Sequence, residues 1–189
     1  KNILKKKMAL SIIHAHTVES YLAGYSFANS IFYDLKQIGV SAFVMSNFGN
    51  MIEVFDSPNH LYNRMKPITG LTVLIKTDLD EVKVDCRLNL LAYNMSGFYN
   101  LVTLSSIGYL NSKEELPYIK SNQLKKYFEG LICLSGGIDS ELYQKVSQNK
   151  LNHSIELASH YSNLFGKENY YIEIQISNSE EQKNINASL

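Results

Sequence analysis

The chain has no tryptophan, only three prolines and two cysteines in 189 residues, and a formal net charge of +0. Cys86 and Cys133 are isolated and form no CxxC pair, which indicates free thiols in a reducing, cytoplasmic compartment. Because there is no global basic field to attract nucleic acid, contact with DNA would need a local patch or a neighbouring domain. The apolar run after Lys5–Lys7 is too short for a secretory signal or a membrane span.

The composition is that of a globular protein. Hydrophobic residues make up 45% of the chain and charged residues 19%, which excludes an intrinsically disordered chain. The length is sufficient for one sizeable core. No linker, repeat or low-complexity segment divides the sequence, so we expect a single domain over residues 1–189.

Strand-like and helix-like segments alternate along the chain. Apolar and β-branched runs predict strands at 10–13, 40–45, 70–75, 85–93, 131–134 and 170–175. Helical spacing predicts helices at 27–38, 51–65, 96–110, 121–128, 140–147, 153–165 and from 180 onward. The order strand, loop, helix is typical of a parallel α/β sheet, either open or closed into a barrel.

His14 and His16 are the candidate ligands for a metal. They follow the first predicted strand and, at a spacing of two, point to the same face. Neutral imidazoles are good ligands for zinc and manganese. Two ligands do not hold a metal, however, and the other three histidines have no partner at ligand spacing.

Six segments of the sequence form a collinear pattern. They are IHAHT at 13–17, SNFGNM at 46–51, KPITG at 66–70, LNLLAYN followed by GFYNL within 88–101, EGLICLSGG at 129–137 and YYIEI at 170–174. Together they resemble the polymerase-and-histidinol-phosphatase (PHP) domain at the N-terminus of bacterial DNA polymerase III alpha subunits. The resemblance implies a PHP-type distorted (β/α) barrel with mostly parallel strands. It also implies that residues 1–189 are part of a larger subunit, with the barrel truncated at its C-terminal end.

The chain departs from this family at the positions that hold metal ions in members with an intact site. The residues at those positions are Ala23 for an aspartate, Asn47-Phe48 for an Asp-His pair, Thr72 for an acidic residue and Arg87 for a histidine. A multinuclear hydrolase site needs anionic oxygens to neutralise and bridge its ions, and a guanidinium repels a cation. We therefore interpret His14 and His16 as vestigial ligand positions and expect no metal, no cofactor and no catalytic residue.

The resemblance is closest to the subgroup whose PHP site is degraded and which relies on a separate proofreading exonuclease. It implies a non-catalytic domain that braces the replicative polymerase and docks the exonuclease subunit. DNA would be contacted only through the parent protein, a DNA-directed DNA polymerase, and no membrane is involved. Two alternatives are a metal-dependent phosphoesterase of the PHP superfamily that uses unrecognised ligands and a free-standing interaction protein.

A third alternative depends on the loop from Ser135 to Ser140, which matches the SGGxDS loop of adenylating ATP pyrophosphatases. A strand that leads into a glycine loop and then a helix can cradle pyrophosphate with backbone N–H groups. The residues from 141 to 189 are too few to build the rest of such a nucleotide domain. We expect Asp139 to cap the following helix instead of serving as a catalytic ligand.

Overall fold

A computed structural model describes residues 10–20, 24, 26–52, 65–76, 86–112, 116–176 and 179–189. Within these residues the strands are β1 (Leu10–Ile12), β2 (Val40–Met45), β3 (Lys66–Lys76), β4 (Cys86–Ala92), β5 (Tyr118–Lys120), β6 (Leu131–Leu134) and β7 (Tyr170–Tyr171). The helices are α1 (Ala28–Gln37), α2 (Met95–Asn111), α3 (Ser121–Leu124), α4 (Glu141–Ser147), α5 (Leu151–Phe165) and α6 (Glu180–Asn186), with a 3-10 turn at Gly137–Asp139.

The strands form one curled sheet in the order β1-β2-β3-β4-β6-β7, and β5 also pairs with β3. All strand pairs are parallel except those that β4 makes with β3 and β6. The α/β class and the distorted barrel with mostly parallel strands are thus confirmed, whereas a purely parallel sheet is wrong at β4. The segment 77–85 is shorter than the dozen or more residues that a parallel crossover needs.

The curl depends on a glycine in the middle of the sheet. Val44 of β2, Leu91 of β4 and Leu134 of β6 form one buried cluster, although β3 lies between β2 and β4. A Cβ on Gly70 of β3 would lie 2.8 Å from Val44 Cγ1 and 3.1 Å from Leu91 Cδ2. Without a side chain at Gly70, the neighbouring strands meet over β3 and the sheet closes on its inner face.

The main hydrophobic core lies on the opposite face of β3, β4 and β6, because side chains alternate along a strand. It contains Leu71, Val73, Ile75, Cys86, Leu88, Leu90 and Cys133 from the strands and Leu101, Leu104, Tyr161 and Phe165 from α2 and α5. Full burial of one such side chain contributes about 1.5–3 kcal/mol. This core fixes the strands whose inner-face residues form the candidate site.

Two elements end earlier than predicted. The helix predicted at 121–128 stops at Leu124, and the backbone continues with tight bonds such as Tyr127 N–H to Leu124 O, as in a 3-10 turn. The strand predicted at 170–175 pairs only at Tyr170–Tyr171. Beyond it, Glu173 N–H donates to the side chain of Ser135 instead of to a strand carbonyl.

Several predictions are not tested by the described residues. The predicted helix at 51–65 falls almost entirely on residues 53–64, which lie outside them, and Ile52 is in a turn. Ala23 also lies outside the described residues. No helix in the described ranges is both long and apolar enough to cross a bilayer.

Candidate functional site

His14 and His16 belong to one chain of hydrogen bonds at the carboxyl end of the parallel strands. His14 Nδ1 lies 2.8 Å from Glu173 Oε1, and His14 Nε2 lies 3.0 Å from His16 Nε2. His16 Nδ1 lies 3.0 Å from Ser20 Oγ, which accepts a hydrogen bond of 2.9 Å from the N–H of Phe48. The two vestigial ligand positions are therefore together, and their ring nitrogens are bonded to the protein.

The direction of these hydrogen bonds can be assigned from the Glu173 end when both rings are neutral, because a carboxylate only accepts and a neutral imidazole has one donor and one acceptor nitrogen. Ser20 Oγ accepts from Phe48 and gives its own proton to His16 Nδ1. His16 then donates from Nε2 to His14, and His14 donates from Nδ1 to Glu173. In this assignment each ring carries one proton, and no imidazole lone pair is left for a metal.

Glu173 was not identified from the sequence, and it links the two ends of the curled sheet. It lies two residues after β7, the last strand of the sheet, whereas His14 lies two residues after β1, the first strand. The bond between them therefore joins the two ends of the sheet. One feature of the sequence could have indicated its role: Glu173 is the single carboxylate inside the aromatic and apolar run 170–174. Because a charge is seldom buried without a partner, a carboxylate in such a run suggests a specific contact.

The carboxyl group of Glu173 is buried and hydrogen-bonded, and both conditions affect its pKa. Its side chain is only 7% exposed. Burial alone would raise the pKa of Glu173, but hydrogen bonds from His14 and Gln175, together with the positive charge that each histidine carries when it is protonated, lower the pKa below its ordinary value. A group with a lowered folded pKa stabilises the fold above its unfolded pKa, and that contribution is lost as the pH falls through the folded value.

We therefore expect acid to remove part of the stability through Glu173. Between neutral pH and pH values below about 4.3, the ordinary pKa of glutamate, the free energy of unfolding should fall more steeply in the native chain than in Glu173→Gln. Urea unfolding followed by circular dichroism at several pH values measures this slope. Glu156→Gln, at an exposed carboxylate of α5, should retain the native slope. Parallel curves for the native chain and Glu173→Gln would contradict the prediction.

Asn47 and Thr72, at two of the family's ligand positions, have structural roles here. Asn47 Oδ1 accepts from Thr17 N–H at 2.8 Å, and Asn47 Nδ2 donates to Thr17 Oγ1 at 2.9 Å. Thr72 Oγ1 donates to the carbonyl of Ser46 at 2.7 Å. All four residues are buried. These bonds fix the segment after β1 to the segment after β2 and to β3.

Phe48 and Arg87, at two further ligand positions, pack against each other. The guanidinium carbon of Arg87 lies 5.0 Å from the centre of the Phe48 ring, within the range of a cation–π contact. Phe48 is buried, and Arg87 is partly buried on β4. A cation of the protein thus lies beside an apolar ring at positions where the family has two imidazoles.

These donors do not fit a metal centre. In the part of the chain that the structure describes, no three His, Cys, Asp or Glu side chains are arranged to hold a metal ion. Buried atoms without a described partner include Ser46 Oγ, Asn89 Oδ1 and Glu173 Oε2. No catalytic step through a metal follows from this arrangement.

We expect the purified protein to carry no stoichiometric zinc, manganese or iron. The reason is that the carboxylates and imidazoles needed to bridge several cations are replaced at Asn47, Phe48, Thr72 and Arg87. Elemental analysis after dialysis against a weak chelator measures the content. One or more ions retained per chain would overturn this interpretation.

The glycines of the SGGxDS-like loop are explained by close packing. Gly136 and Gly137 have φ of +91° and +63°, a region that favours glycine. A Cβ on Gly136 would overlap the carbonyl of Arg87, and one on Gly137 would overlap the side-chain amide of Gln175. The two glycines are thus accounted for by the fold itself, without a nucleotide.

The helix after this loop is capped by Ser140, so the prediction that Asp139 provides the cap is wrong. Ser140 Oγ accepts from Tyr143 N–H at 3.1 Å, which is the usual geometry of an N-cap. Asp139 is instead the last residue of the 3-10 turn before the cap. The turn displaces the start of α4 by one residue from the position that the sequence indicated.

Comparison with known proteins supports the same family. A model of the PHP domain matches residues 13–177. DNA polymerase III subunit alpha is 29% identical over 187 residues in Treponema pallidum (strain Nichols), 30% over 196 residues in Deinococcus radiodurans and 28% over 199 residues in Thermus aquaticus. These alignments cover 95%, 94% and 97% of this chain but 16%, 14% and 16% of the relatives. With a match over most of its length, the chain belongs to the PHP domain family.

Proposed function

We propose that this chain is a non-catalytic PHP domain of a replicative DNA polymerase III alpha subunit. It supports the polymerase and docks the proofreading exonuclease subunit in the bacterial cytoplasm. The observation that carries the proposal is the contact between Arg87 and Phe48, which places a side-chain cation where the family has metal ligands. The names of the similar polymerase subunits supply the replication context.

The proposed loss of catalysis follows from what hydrolysis of a phosphoester requires. Metal ions in such sites neutralise the developing charge and activate water. Here the Glu173 carboxylate is hydrogen-bonded to His14, and the Arg87 guanidinium is stacked on Phe48. Glu173 and Arg87 therefore interact with other side chains of the protein, and we expect that their removal destabilises the fold. The hydrogen bond between His14 and Glu173 instead joins the segments that follow the first and last strands of the sheet.

A docking role is compatible with this site because docking needs a folded surface and not a metal. In this proposal DNA is contacted by the rest of the polymerase, because a chain with a formal net charge of +0 has no overall basic field to attract phosphates. The parent protein would carry the nucleotidyltransferase activity.

Binding of the exonuclease subunit from the same organism tests the proposal. Biolayer interferometry with the immobilised 189-residue chain should show saturable binding that is unchanged by a strong chelator. Absence of binding at about 100 μM exonuclease, a concentration that reveals even weak complexes, would contradict a docking role. Binding that the chelator abolishes would contradict a metal-free role.

A phosphodiesterase assay with manganese or zinc decides between this proposal and the phosphoesterase alternative. The non-catalytic proposal predicts the same background rate for the native chain and for His14→Gln. A rate in the native chain that His14→Gln lowers at least tenfold, with unchanged thermal unfolding, would establish the phosphoesterase instead.

A further inference from the structure

The outward face of α2 carries an unusual row of exposed side chains. Met95, Tyr99, Val102 and Tyr109 are 62%, 63%, 38% and 50% exposed, and Ser106 continues the row. Their spacings of four, three, four and three residues are those of the seam of a coiled coil. The buried face of the same helix, with Leu101 and Leu104, already packs on the sheet. The helix therefore has a second seam without a described partner.

The same face has no charge. Residues 88–112 contain no Asp, Glu, Lys or Arg, whereas a solvated helix face normally alternates charged and polar residues. The hydroxyls of Thr103 and Ser106 donate to the carbonyls of Tyr99 and Val102 within the helix, both at 2.9 Å. Because these two hydroxyls already have acceptors, covering the face would not leave their protons without a hydrogen bond.

We propose that α2 packs antiparallel against α2 of a second copy of this chain. In a two-fold interface a surface meets itself, so a charged face would place like charges together, and this face has none. The row is also nearly symmetrical about Val102, with Met95 and Tyr99 on one side and Ser106 and Tyr109 on the other. Antiparallel packing therefore brings Val102 of both copies near the two-fold axis. It also places the small Ser106 of one copy opposite the large Tyr99 of the other.

The seam is short, so the dimer is weak. A helix of the length of α2 spans about 25 Å, and one such seam buries less than the roughly 800 Å² per partner of a standard interface. We expect association in the micromolar range. A nucleic acid is a poor occupant of this face because binding to phosphates requires Lys or Arg.

Sedimentation equilibrium of the 189-residue chain tests the proposal. The native chain should form dimers between about 1 and about 200 μM, the range of weak specific complexes. Tyr99→Glu should raise the dissociation constant at least tenfold, because it buries two carboxylates beside the axis. The matched control is Tyr33→Glu on α1, where Tyr33 is 62% exposed, and it should leave the constant unchanged. Thermal unfolding of both variants establishes that they fold.

A second measurement locates the axis. With Cys86 and Cys133 buried, Val102→Cys should be joined to its copy by a short bismaleimide, and Lys36→Cys on α1 should not.

Another exposed apolar row, Ile172, Ile174 and Ile176 beyond β7, offers a competing surface. A chain that stays monomeric at about 200 μM would overturn the proposal. A dimer that Ile174→Glu abolishes and Tyr99→Glu leaves intact would overturn it as well.

Discussion

Gly97→Ala is expected to destabilise the chain by about 3 kcal/mol or more, a cost typical of severe overpacking in a site that cannot relax. Gly97 lies in the first turn of α2, and a Cβ there would overlap the carbonyl of Gly130. That carbonyl accepts the N–H of Tyr93 at 3.1 Å, and Gly130 itself has φ of +75°. The backbone at Gly130 is therefore held in place, so relief requires α2 to move away from the sheet and from the core that it covers.

Gly108→Ala on the same helix is the matched control. Its Cβ would meet Pro117 Cβ at 3.5 Å, an ordinary contact. Alanine is favoured over glycine inside a helix by about 1 kcal/mol, so this variant should be as stable as the native chain or slightly more stable. Urea unfolding by circular dichroism compares the two variants. Similar free energies of unfolding for Gly97→Ala and Gly108→Ala would show that the contact between α2 and Gly130 does not constrain the fold.

The bounds of a strand were predicted correctly from the sequence where the segment is apolar and glycine stands at its ends. Val40–Met45 follows Gly39, and Leu131–Leu134 lies between Gly130 and the loop that contains Gly136; both strands have the predicted bounds. β5 was missed because it has only three residues and is stabilised by its pairing with the end of β3. Such a pairing depends on the folded sheet and leaves no periodic pattern in a short segment.

The candidate site was predicted only in part, for a similar reason. The departures from the family at Asn47, Phe48, Thr72 and Arg87 are visible in the sequence, but their new contacts are not. Glu173 is 159 residues away from His14, and neither residue type nor spacing indicates that they meet. The order of the strands brings them together, because β1 and β7 are the two ends of a curled sheet. Contacts between the two ends of a curled sheet cannot be predicted before the fold is known.

Asn47→Ala is expected to cost about 2–5 kcal/mol, since it removes two buried hydrogen bonds at about 1–3 kcal/mol each. Asn47 is 1% exposed and Thr17 is fully buried. The truncation removes the acceptor of Thr17 N–H and the donor to Thr17 Oγ1. Asn100→Ala is the control, because Asn100 Nδ2 makes one exposed bond of 2.8 Å to Glu129 O, which water can replace at a cost of about 1 kcal/mol or less. Equal losses in chemical denaturation would contradict a structural role for Asn47.

Asn47→Asp separates this structural role from the metal-ligand role that the family resemblance implies for an aspartate at this position. An aspartate at this position can still accept from Thr17 N–H, so one of the two hydrogen bonds to Thr17 is retained. We therefore expect Asn47→Asp to retain more stability than Asn47→Ala. The substitution also restores one carboxylate of the family pattern, yet Phe48, Thr72 and Arg87 remain, and Arg87 still opposes a cation. Elemental analysis of Asn47→Asp should find no stoichiometric metal. If this variant bound an ion, the Asn47 side chain alone would account for the expected absence of metal in the native chain. The contact between Arg87 and Phe48 would then not prevent metal binding.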